Sequence, residues 1–141
     1  MIRIVIPGKP VAKGRPRMTA INGHARSFTP PKTVAYEGLV AFAGQCAMEG
    51  TSLLEGPVSV TLWAYFPLPK AANKARRANA VAGLEWHVSK PDGDNILKAI
   101  CDGLNGVVWH DDAQVAQATV IKLYSETPRA VVEVKSLSSR L

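Results

Sequence analysis

From Val58 to Phe66 the chain alternates without a break, with Val58, Val60, Leu62, Ala64 and Phe66 on one side and Ser59, Thr61, Trp63 and Tyr65 on the other. A period of two turns successive side chains to opposite faces, so this segment is predicted to be a half-buried strand, ended by Pro67 and Pro69. Leu97, Ile100, Cys101 and Leu104 recur instead at helical spacing, predicting a helix from Asp94 to Leu104 with its stop at Asn105-Gly106. A similar stripe of Ala35, Leu39, Phe42 and Cys46 before Gly50 predicts a core helix of about four turns, with Thr29 as N-cap and Pro30 and Pro31 in its first turn. Ile2–Ile6 reads as an opening strand and Val107–Trp109 as a brief extended piece. Two more strands are expected at Gln114–Tyr124 and Arg129–Lys135, joined by a turn at Glu126–Pro128. The Gly-, Pro-, Lys- and Arg-rich stretch up to Phe28 reads as an extended loop or irregular hairpin, and the alanine-rich, basic segment Lys70–Val81 as a short helix. This order of elements implies one α+β domain over residues 1–141, in two layers with a mixed or antiparallel sheet and packed helices.

Charge sharpens the picture. The net charge is +6, and from Met1 to Lys32 there are seven basic residues (Arg3, Lys9, Lys13, Arg15, Arg17, Arg26 and Lys32) with no acid among them. All five aspartates, Asp92, Asp94, Asp102, Asp111 and Asp112, fall instead within one run of 21 residues. A basic body with one acidic focus suits a polyanionic partner. Lys9, Lys13, Arg15, Arg17 and Lys90 are the expected DNA contacts, together with Lys70, Lys74, Arg76 and Arg77. Lys70, Lys74 and Arg77 would share one helix face, more in keeping with an ordinary solvated face than with a phosphate contact. No stretch of eighteen apolar residues and no signal-peptide pattern is present, so the expectation is a cytoplasmic protein with no membrane partner. Cys46 and Cys101 are the only cysteines and are expected as reduced, buried thiols.

In Lys90-Pro91-Asp92-Gly93-Asp94-Asn95 two carboxylates lie two residues apart at the mouth of the predicted third helix. A chain reversal at Asn105-Gly106 would return the loop His110-Asp111-Asp112 toward them. Asp92, Asp94, Asp112 and Asp111 are then candidate ligands for magnesium, with manganese as substitute, because such an ion takes a few hard oxygens and keeps several waters. Crowded carboxylates repel one another without a cation, and a bound divalent ion reverses that sign. An ion so held can neutralise a phosphate and activate water for in-line attack, which favours phosphodiester hydrolysis. Asp94, Lys98 and Asp102 are spaced four apart on the polar face of the same helix; Lys98 would contact the scissile phosphate or orient a carboxylate, or the three form an exposed salt-bridge ladder.

Rival motifs fail on spacing. A calcium loop begun at Asp92 wants Gly at its sixth position and Glu at its twelfth, where Leu97 and Gly103 stand. No phosphate-binding Gly-Lys-Ser/Thr loop is present, so no nucleotide cofactor is implied. His24, His87 and His110 lack metal-ligand spacing; His110 is a polar loop residue or a proton carrier beside Asp111.

The run Lys90-Pro91-Asp92-Gly93-Asp94-Asn95-Ile96-Leu97-Lys98, with Asp102-Gly103-Leu104-Asn105-Gly106 and Trp109-His110-Asp111-Asp112-Ala113-Gln114-Val115 after it, resembles the RusA Holliday junction resolvases of bacteria and their phages. Gly8-Lys9-Pro10, Arg15-Pro16-Arg17 and Phe28-Thr29-Pro30 resemble the N-terminal region of that family. The resemblance implies a homodimeric α+β endonuclease that uses magnesium to make paired, symmetric cuts in a four-way DNA junction. It implies Asp92, Asp94 and Asp112 as essential acids and Lys98 as a functional lysine, with Asp102 and Asp111 at acidic positions of unassigned role. Val88-Ser89-Lys90-Pro91 stands where one member of the family has an arginine run before its first acid, so junction sequence preference and affinity do not carry over, and the basic N-terminal loop is a candidate to supply those contacts here. Two other readings remain open at this point: a DNA-structure-binding protein with a structural ion, and a less selective nuclease of branched DNA.

Overall fold

The structure is a computed structural model that describes residues 1–15 and 17–138. Strand β1 (Ile2–Pro7) is followed by β2 (Arg17–Ile21), β3 (His24–Phe28), helix α1 (Pro31–Met48), β4 (Val58–Phe66), α2 (Lys74–Val81), α3 (Gly93–Leu104), β5 (Val115–Tyr124) and β6 (Arg129–Ser136). Alternation in β4 is reproduced residue by residue, with one set fully buried and Ser59, Thr61, Trp63 and Tyr65 half-buried. Ser59, Thr61 and Trp63 of the second set line a cleft shared with Thr119, Glu133 and Lys135.

The main sheet has the order β1-β6-β4-β5 and is mixed, as the α+β reading expects. β6 runs antiparallel to β1 and β4, whereas β5 runs parallel to β4, with Leu62 opposite both Val120 and Val132. β5 and β6 are therefore not a hairpin, although a short turn joins them. The chain reaches β5 from β4 through α2 and α3, the long crossover that a parallel pair requires. It then passes the end of β4, where the Ser125 N–H donates to Phe66 O at 2.9 Å, and pairs on that strand's far side.

α3 turns Ile96, Ala99, Ile100 and Leu104 into the core with no exposure at all. Each such burial is worth about 1.5–3 kcal/mol for a large side chain. α1 corrects the stripe expected for it: Thr33, Tyr36, Val40, Gly44 and Met48 face inward, while Leu39, Phe42 and Cys46 face out. Close approach to α3 selects the buried face. A Cβ on Gly44 would stand 2.7 Å from Leu104 Cδ2, and one on Gly103 would stand 2.8 Å from Val40 Cγ1 and 2.9 Å from Glu37 O. Cys46 is therefore an exposed thiol, and only Cys101 is buried.

Smaller departures have local causes. β2 and β3 form a regular hairpin because Asn22 and Gly23 both take positive φ (52° and 77°), the geometry of a tight two-residue turn. Helix α1 is capped by Pro30 and α2 by Asn73, whose side chain accepts from Arg76 N–H, so α2 begins at Lys74 and not at Lys70. Val107 and Val108 lie in a turn, their N–H groups both donating to Leu104 O, and of the expected extended piece only Trp109 pairs, in isolated bridges to Leu54 and Asn105.

Candidate active site

The mouth of α3 is fixed against β5. A Cβ on Gly93 would lie 3.2 Å from Val120 Cγ1, and Lys122 Nζ on the same strand donates to Ser89 O at 2.8 Å. A side chain there would make Val120 give way by a few tenths of an ångström. Asp92 takes the N-cap position, yet its carboxylate makes no capping bond and lies open, 3.1 Å from Lys90 Nζ. Asp94 follows in the first turn, exposed. One turn on, Lys98 Nζ donates to Asp102 Oδ1 at 2.8 Å and lies 3.5 Å from Asp112 Oδ2.

Asp112 arrives by the expected return. After α3 the chain turns at Gly106 and anchors on buried Trp109, whose Nε1 donates to Asn105 Oδ1 at 2.7 Å. A single turn of 3-10 helix (Asp112–Gln114) then presents Asp112 to the polar face of α3. Gln114 holds this turn: Oε1 accepts from the N–H groups of His110 and Asp111, and Nε2 donates to Leu54 O and Gly56 O. Asp111 caps the turn by accepting from Ala113 N–H at 3.0 Å, so one of its oxygens serves its own loop. His110 pairs with Glu55 at 2.7 Å, the role of a polar loop residue.

Charge on this face is set by contact. The hydrogen bond to Asp102 raises the Lys98 pKa against the opposing effect of burial. Burial works to raise the Asp102 pKa, and the bonds from Lys98 and Lys13 more than reverse it. Both groups are thus ionised at neutral pH. Among the described residues no group of three or more His, Cys, Asp or Glu side chains is placed to hold a metal ion by itself. Magnesium does not need such a cage, since one or two carboxylates, waters and a substrate phosphate complete its octahedron. The donors fit it in kind: Asp92 and Asp112 are hard oxygen groups, each now facing a lysine ammonium, and Asp94 is exposed in the first turn of α3.

The basic residues divide. Lys9, Arg15, Lys32 and Lys90 line a cleft of about 660 Å³ together with Pro91, the residue before Asp92; Lys32, at the start of α1, was legible only as part of the basic run. Lys70 and Lys74 are exposed on the surface. Lys13 stands apart from these, its Nζ lying 2.6 Å from Glu37 Oε1 and 3.0 Å from Asp102 Oδ2. Arg76 is spent on Glu85 at 2.9 Å and on the face of Tyr124, and Arg77 on the carbonyls of Ala72 and Lys70. The side chain of Arg17 lies outside the described residues.

A family model described as endodeoxyribonuclease RusA matches residues 7–135, a span that holds every element from the basic cleft to β6 apart from most of β1. The chain belongs to the RusA family. It is also similar to the uncharacterized protein YqaN of Bacillus subtilis (strain 168), with 36% identity over 140 residues that cover 98% of each chain. Within this RusA chain all five aspartates lie inside the matched span, and four of them sit on α3, its cap or the turn that returns to it.

Proposed function

We propose that this protein is a magnesium-dependent endodeoxyribonuclease that resolves Holliday junctions by paired, symmetric cuts. The observation that carries the reading is Lys98 Nζ set between Asp102 and Asp112, on the helix whose N-cap and first turn carry exposed Asp92 and Asp94, in a chain with a basic cleft lined by Lys9, Arg15, Lys32 and Lys90. In a RusA chain that arrangement couples a phosphate track to an acidic centre. Lys9, Arg15, Lys32 and Lys90 hold the DNA backbone by charge, so binding weakens steeply with salt. Asp92, Asp94 and Asp112 would hold magnesium or manganese, which supplies charge neutralisation at the phosphate and a more acidic attacking water. Lys98, kept charged by Asp102, stabilises the negative charge that grows on phosphorus oxygens.

Two opposed cuts need two such centres, so the acting form is a homodimer on a four-way junction. The sheet face around half-buried Trp63 and the outward face of α1 around exposed Phe42 are two surfaces that could receive a second copy. A DNA substrate fits a cytoplasmic protein, bacterial or phage-encoded. The test is Asp112→Asn. Cleavage of a synthetic junction should vanish while junction binding persists, since removing a negative charge does not weaken attraction to DNA. Full activity in that variant would refute the assignment, and cutting of flaps and forks as fast as junctions by the wild type would redirect it to a less selective nuclease.

A further inference from the structure

The close crossing of α1 and α3 at Gly103 sets Glu37 of one helix beside Asp102 of the other, with Lys13 between them. Two carboxylates brought together across a helix interface repel unless a cation stands between. The loop after β1 delivers that cation. Lys13 N–H donates to Asn95 O at 2.9 Å, and Gly14 N–H donates to Thr33 Oγ1 at 2.9 Å, which seats the loop on the first turns of both helices. Gly14 is pressed so close that a Cβ there would meet Thr33 Oγ1 at 2.8 Å and Pro30 Cγ at 2.9 Å. Asp102 is then held at both oxygens, Oδ2 by Lys13 and Oδ1 by Lys98, so its carboxylate cannot rotate without losing one bond.

We propose that Lys13 is a positioning residue for the nuclease reaction: by bridging Glu37 to Asp102 it fixes the acceptor that aims Lys98 at Asp112. This rests on the nuclease reading above. Lys13 is not itself among the residues that line the cleft, and its side chain, 22% exposed with two carboxylates on its ammonium, has little left for a phosphate. Asp102, neutralised by two lysines, belongs to the same device and not to the metal's donors.

The experiment measures turnover at saturating junction, and junction affinity across a salt series, for wild type, Lys13→Gln, Lys13→Arg, Asp102→Asn and the Lys13→Gln/Asp102→Asn double variant. Lys13→Gln should lower turnover about 10- to 100-fold, the range expected when a reacting group is misplaced, with affinity and salt slope unchanged. Lys13→Arg keeps a bridging cation and should recover most of that loss. The double variant should be no slower than the worse single variant, because both act through Lys98. Weakened binding and a shallower salt slope with intact turnover would make Lys13 a phosphate anchor and overturn the proposal, as would additive losses. Where Lys13→Gln melts too low to assay, Glu37→Gln decides: a severalfold fall in turnover supports the bridge and an unchanged rate overturns it. A wild-type protein that leaves junctions uncut would instead sink the nuclease reading itself, in its own lane of the gel.

Discussion

Helices α1 and α3 pack on each other and are both rich in apolar residues, yet only α3 has a polar face. On α3, Asp94, Lys98 and Asp102 mark the side that water must see, so the remaining stripe can only be core. α1 carries Tyr36, Val40 and Met48 on one side and Val34, Leu39 and Phe42 on the other, and burial there is decided by which side is narrow enough to approach a neighbour. Gly44 and Gly103 decide it. The lesson is that periodicity locates a core face when charge excludes the alternative, and that small residues take over when it does not.

The difference should be plainest in thiol chemistry. Burial pushes the Cys101 thiol up to about 12 from 9.0, so its reactive thiolate is about a thousandfold scarcer at neutral pH than in an ordinary thiol. A disulfide reagent on native protein should label one cysteine, Cys46, and reach Cys101 only in denaturant; labelling of both at similar rates would break the comparison.

Side-chain truncation comes next. Ile100→Ala should cost about 2–5 kcal/mol in chemical denaturation, whereas Phe42→Ala, the removal of a larger group, should cost under about 0.5 kcal/mol at concentrations where the protein is monomeric. Glycine replacement should then give opposite signs on the two helices. Gly103→Ala forces its new methyl against Val40 and the Glu37 carbonyl and should cost about 1–3 kcal/mol, while Gly38→Ala on α1 meets nothing within 4 Å and should gain about 0.5–1 kcal/mol.

The smallest effect belongs to the charges that join the two helices. Asp102 is held below its usual 3.8, so its contribution is complete above that value and is lost as pH falls through the folded pKa. Lys98 is raised above 10.5, by its bond to Asp102 ahead of the opposing burial, so its contribution is lost only at higher pH. The stability gap between wild type and Asp102→Asn should therefore stay flat from roughly pH 5 to 9, at about 1 kcal/mol or less, and close in stronger acid. A gap that changes near neutral pH would place another titrating group in the contact.

Much of the molecule was legible in advance, for reasons that differ by element. β4 and α3 were read within a residue because their polar positions alternate or cluster cleanly. The β2–β3 hairpin carried its turn signal, Asn22-Gly23, but polar flanks hid the strands. Strand order was not legible, since no local pattern says that β4 lies between β5 and β6. The acids of the site stood out as the only aspartates of the chain. What their neighbours do did not: the partners of Lys13 lie far along the sequence, and a lysine in a basic run looks free until its carboxylates are seen.

The most direct test of junction resolution is a denaturing gel of the purified protein on an end-labelled four-way junction, beside linear duplex, with magnesium or with chelator. The expected result is a pair of symmetric nicks in the junction alone, present only with metal. Junctions that are bound but stay intact in magnesium and in manganese would contradict it, and would leave a junction-binding protein in its place.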